Sequence, residues 1–97
     1  MEEQYILNVT FHCEASARRD VGYFLEHRLV PNWRTEWAKV LLLELPDEQG
    51  FAVQIQDPSS DRLKAFVPGE DPDAARILAV YPKLVTFFPT LLKLLSE

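Results

Sequence analysis

One cysteine, Cys13, stands in the whole chain. No internal disulfide can therefore form, and a cysteine-built zinc cluster is excluded. Basic charge is thin as well: 10 Lys and Arg stand against 15 Asp and Glu, for a formal net charge of −5. Arg18-Arg19 is the only basic pair. Such a surface repels a phosphate backbone overall, so nucleic-acid binding loses its main driving term. Long apolar runs are missing too. Stretches such as Val40 to Leu43 fall far short of the ~20 apolar residues that a membrane helix needs. No cationic start followed by an apolar stretch opens the chain, which predicts a soluble cytoplasmic protein without a signal peptide. Internal repeats and low-complexity segments are also absent.

What is present suits one compact domain spanning residues 1–97, with no room for a second core. A chain of this size buries roughly 60–70% of the surface it exposes when unfolded. An apolar content of 47%, including Trp33, Trp37 and six Phe, supplies a core and is slightly rich for one small domain. The surplus leaves apolar surface for a partner.

Along the chain, Gln4 to Cys13 alternates. Tyr5, Leu7, Val9, Phe11 and Cys13 share one side, and Ile6, Asn8, Thr10 and His12 share the other. That period of two predicts a strand with one face buried. From Ser16 the period becomes helical, with Ala17, Val21, Phe24, Leu25 and Leu29 on one side of the wheel. Ser16 is the expected N-cap, and Pro31 the expected stop, because the residue before a proline is pushed out of α geometry. Gly22 inside this helix costs ~1 kcal/mol, so tertiary packing must carry it. Glu36 to Leu45 predicts a second strand, Pro46 to Gly50 a turn and Phe51 to Gln56 a third strand, together a hairpin. Asp57-Pro58 predicts a helix start, Pro68-Gly69 a break, and Asp71-Pro72 a second start. Leu84 to Phe88 predicts a fourth strand that Pro89 ends, since proline cannot donate to a ladder. The leucine-rich tail from Thr90 to Glu97 fits a helical stripe or a doubly buried strand.

Right-handed crossovers in this order send both helices to one face of the sheet. The predicted fold class is α+β: a ferredoxin-like β-α-β-β-α-β sandwich with a four-stranded antiparallel sheet and helices on one face. The other face is bare. Strand parity places Asn8, Thr10, His12, Gln54 and Gln56 there, with Ile6, Ala52 and Thr86, and with Val40, Leu42 and Glu44 from the second strand. The mixture offers apolar area for a homodimer and polar groups to line a small-ligand cavity.

The segments "YILNVTFHCE", "FLEHRLVPNW", "FAVQIQ" and "LVTFFPTLLKLL" together resemble the bacterial family known as domain of unknown function 4286. The resemblance runs through nearly the whole chain and contains no catalytic motif. It implies a dimeric α+β barrel, the superfamily that includes antibiotic-biosynthesis monooxygenases, and no established activity. Heme-degrading members of that superfamily resemble one another in pairing a strand-one Asn with a helical His and a Trp. Asn8, His27, Trp33 and Trp37 look similar, but that pattern expects its His in the second helix, and residues 58–82 contain none.

Single residues add candidates. His27 could shuttle a proton or hold an anion, although a His near a helix C-terminus more often stabilises the dipole. Cys13 lies just ahead of the first helix, where a thiolate could be favoured, although lone buried cysteines are ordinary core residues. A metal would need convergent ligands, and only His12 and Glu44 are placed to converge, so no metal or cofactor is assigned. Three functional classes follow. The leading expectation is a homodimeric small-ligand-binding or regulatory protein using Asn8, Thr10, His12, Gln54 and Gln56. The alternatives are an interaction module built on Trp33, Trp37 and the leucine-rich tail, and a cofactor-independent monooxygenase-like enzyme; with no catalytic motif the balance leans away from catalysis.

Overall fold

Alternation in the first strand governs the layout of the molecule. In the computed structural model, which describes residues 3–96, β1 (Gln4–Cys13) pairs along its whole length with two neighbours. These are β3 (Gly50–Asp57) on one side and β4 (Val85–Leu94) on the other. The remaining strand, β2 (Lys39–Glu44), pairs with β3. The sheet order is β2-β3-β1-β4, antiparallel throughout, as the β-α-β-β-α-β reading predicts. Leu7, Val9, Phe11 and Cys13 point from β1 into the core, joined by Val53 and Ile55 of β3. Leu25, Leu29, Leu63 and Ile77 of the helical layer close over them, each at 2% exposure or less. Helices cover this face alone. Among the described residues no helix is long and apolar enough to cross a membrane.

The first helical segment runs farther than local rules predict. It consists of α1 (Ala15–Phe24), a π-helical turn over Leu25–Leu29, and α2 (Val30–Trp33), in which Pro31 occupies the first turn. Pro31 therefore does not stop the helix. A proline clashes with the carbonyl four residues back and lacks its own N–H. The carbonyl four residues back from Pro31 is that of His27, and it lies inside the widened turn, where Val30 N–H bonds the Leu25 carbonyl five residues back. The N-cap is Glu14, which makes no side-chain capping bond, and not Ser16.

Pro89 is the second proline whose local reading fails. β4 continues through it to Leu94, with Pro89 opposite Val9, and this settles the leucine-rich tail as strand. β4 is an edge strand, where a nitrogen turned to solvent removes nothing from the ladder. β2 is shorter than expected and shows the opposite parity. Val40 and Leu42 stand across from Ile55 and Val53 on the helix side, so Leu41 and Leu43 face outward.

The second crossover is broken into α3 (Ser60–Ala65), a 3-10 turn (Pro68–Glu70) and α4 (Pro72–Val80). Asp71 caps α4 as its sequence predicts, accepting from Asp73 N–H and Ala74 N–H. The earlier start lies two residues later than Asp57-Pro58 suggests: Ser59 caps α3, accepting from Arg62 N–H. Asp57 instead accepts from Ser59 N–H and from the Arg62 guanidinium, both at 2.9 Å. Arg62 also lies 4.3 Å over the Trp37 ring. Trp33 and Trp37 are 3% and 4% exposed and meet the Phe66 ring edge-on, at 5.1 and 5.9 Å. They are core residues, which removes the exposed patch that a Trp33/Trp37 interaction module requires.

Two glycines mark close approaches. A Cβ at Gly50, where φ is +145°, would overlap the carbonyl oxygen of Phe11. A Cβ at Gly22 would lie 2.6 Å from the tip of the Phe51 ring. Gly22 thus gives up helix propensity so that α1 can seat on β3. We expect Gly22→Ala to lower stability by ~1–3 kcal/mol despite its better helix propensity. In a Phe51→Leu background the same change should cost nothing or stabilise, a coupling that urea-denaturation midpoints of the double-mutant cycle would read directly.

Candidate functional site

The uncovered face of the sheet is built by register. Outward residues of β1 line up with those of its neighbours in rows across the sheet. One row is Lys39, Gln56, Ile6 and Leu92; the next is Leu41, Gln54, Asn8 and Thr90; the third is Leu43, Ala52, Thr10 and Phe88. Gly50, His12 and Thr86 form a fourth at the end of β1. The centre is polar and the flanks are apolar. Leu41, Leu43, Phe88 and Leu92 are 42–48% exposed, and these four make up nearly half of the nine large hydrophobics exposed among the described residues.

Three of the five residues expected to form a binding row are joined by hydrogen bonds. Gln54 Nε2 donates to Asn8 Oδ1 at 3.0 Å, and Asn8 Nδ2 donates to Thr10 Oγ1 at 2.9 Å. Cross-strand spacing brings Gln54 and Asn8 together, and the period of two brings Asn8 and Thr10 together. The chain of bonds leaves the Thr10 hydroxyl free to donate and the Gln54 carbonyl free to accept. Gln56 turns away from this ladder and donates instead to Gln4 Oε1 at 3.5 Å. His12 is exposed and stacks on Phe88, with ring centroids 5.8 Å apart. It borders a separate groove of about 330 Å³ with Cys13, Glu14, Gln49, Lys83, Leu84 and Thr86. The ladder itself is neutral, so it can recognise hydroxyl, amide or carbonyl groups but offers no charge to an ion.

Several residues of this face escaped the sequence reading. Thr90 and Leu92 lie beyond Pro89, which local rules take as the end of the strand, although the alternation of Thr86 and Phe88 runs on unbroken to Leu94. Leu41 and Leu43 were hidden by a strand that is apolar on both sides. Glu44 lies on the helix side, 3.7 Å from Arg18, so it does not converge with His12.

Cys13 is 9% exposed, and its weak S–H contact is with the Phe11 carbonyl at 3.9 Å. Burial pushes its thiol up to about 11 from an ordinary 9.0, with the Arg18 charge pulling weakly the other way. The thiol is therefore stabilised as a neutral core group rather than activated as a nucleophile.

No protein-family model matches the chain, and no curated protein sequence does. Solved structures share the fold, two of them over nearly the whole chain. A Bacteroides thetaiotaomicron conserved protein of unknown function, described as a possible oxidoreductase, is 12% identical with a TM-score of 0.67. That match covers 97% of this chain and all of the other. The Mycobacterium tuberculosis protein Rv0793 is 19% identical with a TM-score of 0.69, covering 97% of both chains. At these identities the likeness establishes a shared α+β architecture.

The Cys13 shift fixes a pH dependence. Between pH 9 and 11 the unfolded thiol loses its proton while the folded one keeps it, so stability falls as pH rises through this window. Iodoacetamide labelling of the native protein should keep accelerating up to about pH 11, whereas in urea it should level off above pH 9. A native labelling profile that levels off near pH 9 would contradict the buried, unactivated thiol.

Proposed function

We propose that the chain works as a homodimer, two sheets packed face to face, with the Gln54–Asn8–Thr10 ladder enclosed as a site for a small neutral polar ligand. One observation carries this reading: a sheet face with no helix over it, apolar at its flanks and hydrogen-bonded at its centre. Exposed apolar residues gathered on one surface mark an association site. A second copy is the partner that a self-complementary face fits, because the two-fold axis lets β2 leucines of one protomer meet β4 side chains of the other. The neutral ladder then sets the ligand class: hydroxyl or amide groups that replace water at Thr10, Asn8 and Gln54. A regulatory role follows where such a ligand changes the stability of the dimer.

Sedimentation equilibrium should give twice the chain mass of 11.2 kDa at micromolar concentration. Leu41→Lys and Leu92→Lys each place an unpaired charge in the interface and should weaken association by roughly a hundredfold or more. Val67→Lys, on an exposed residue away from the sheet, should leave it unchanged. A wild-type chain that stays monomeric at about 100 μM, which bounds the association energy at about −5.5 kcal/mol, would sink the dimer. The ligand half stands or falls separately. It fails if no neutral polar compound raises the melting temperature of the dimer, or if Gln54→Leu leaves such a response intact.

A further inference from the structure

On the opposite side of the molecule, the first helix and α4 leave between them a groove of about 560 Å³. Asp20, Tyr23, Phe24, His27 and Arg28 come from the first helix, and Arg76, Ile77, Val80 and Tyr81 from α4 and its end. The volume lies within the roughly 300–1,000 Å³ typical of small-molecule sites. Its walls divide by chemistry. Phe24, Ile77 and Val80 give an apolar floor, and Val80 is 54% exposed. Tyr23 packs on His27 at a tilt of 38°, with ring centroids 4.2 Å apart, forming an aromatic wall. Asp20, the one acid in the groove, accepts from Tyr81 Oη at 3.4 Å.

The two arginines are the informative part. Three of the ten basic residues, Arg18, Arg62 and Lys93, lie beside carboxylates. Arg28 and Arg76 border the same groove, yet neither has a hydrogen-bond or ion-pair partner among the described residues. A guanidinium has five donors in a planar fork that matches a carboxylate or phosphate. The widened turn at Leu25–Leu29 carries His27 and Arg28, so the irregularity that admits Pro31 also falls at the groove. Such turns recur at functional sites.

We propose that this groove binds a small amphipathic organic anion, with its acidic group held by Arg28 and Arg76 and its flat apolar body lying on Phe24, Val80 and the Tyr23–His27 wall. The site is independent of the sheet face. A dimer closed through the sheets leaves one open groove on the outside of each protomer.

The test uses the full chain and three probes of similar shape: 4-phenylbutyrate, phenyl phosphate and uncharged 4-phenylbutanol. In two-dimensional NMR titrations the anions should shift amide signals of residues around Tyr23, His27, Arg28 and Val80. The alcohol should bind about tenfold more weakly or worse, the loss expected for a missing charge-assisted hydrogen-bond pair. Arg28→Gln and Arg76→Gln should each weaken anion binding about tenfold while leaving alcohol binding and the circular dichroism spectrum unchanged. Relative affinity of butyrate and phosphate then identifies which acidic group the fork prefers. Equal binding of anion and alcohol, or anion affinity unchanged in both Gln variants, would overturn the proposal. So would anion-induced shifts confined to the sheet face around Asn8 and Gln54.

Discussion

β1 is hydrogen-bonded along both edges and covered by helices on one face only, and the rest of the molecule is arranged around that asymmetry. Val9 and Phe11 are completely buried on the helix side, so the strand cannot slip by one residue without exchanging its core for its surface. Fixing β1 fixes the register of β3 and β4, and β3 fixes β2. The outward residues are then ordered as a consequence. Asn8 meets Gln54 because Val9 meets Val53, and Thr10 lies between Ala52 and Phe88 because Phe11 lies between Phe51 and Phe87. The polar ladder is the reverse side of the core.

The helical layer reaches that core at the cost of local regularity. Gly22 lets α1 settle against Phe51, and the π turn lets the same helix continue across Pro31 until Trp33 is buried. Leu25 and Leu29, at the two ends of the widened turn, both point inward with no exposure. Each irregularity would weaken an isolated helix. Here each is offset by apolar burial that a regular helix in this position would not achieve, which is tertiary packing prevailing over local preference.

How much of this could be read from the sequence depended on whether a residue's conformation is set by its neighbours in the chain or across space. The alternation of Tyr5 to Cys13 and the stripe from Ala17 to Leu29 are period signals, and both describe faces the structure buries. Asp71-Pro72 was legible because a cap and an N1 proline act within one turn. Pro31 and Pro89 were misread for the opposite reason. Whether a proline ends an element depends on a carbonyl shifted by a π turn, or on whether its strand lies at an edge, and neither is local information. β2 failed on parity, since Val40 to Leu43 is apolar on both sides and only pairing with Ile55 and Val53 decides which side is inside. Asn8, Thr10 and Gln54 could be named in advance because β1 and β3 alternate cleanly. Thr90 and Leu92, their neighbours, were lost with the misread Pro89.

The same sheet also bears on how association could occur. An exposed sheet has two routes to a partner, its face and its edges. Both edges here carry features that disfavour strand addition. β4 has Pro89 at its middle, and Lys93 is held by Glu3 at 2.9 Å near its end. β2 is short and bounded by Lys39 and Glu44. Charges, prolines and short edge strands are the features that protect sheet edges from pairing with other chains. The face carries one charge of this kind, Lys39 at its β2 corner, and is otherwise neutral. Leu41, Leu43, Phe88 and Leu92 surround a neutral hydrogen-bonded ladder, so covering it strands no charge there and leaves only the Thr10 hydroxyl proton and the Gln54 carbonyl to be met by a partner or ligand. A partner that buries this face gains apolar contact at the flanks and meets amide and hydroxyl groups at the centre. That division of chemistry between blunted edges and an open face favours face-to-face association over strand exchange.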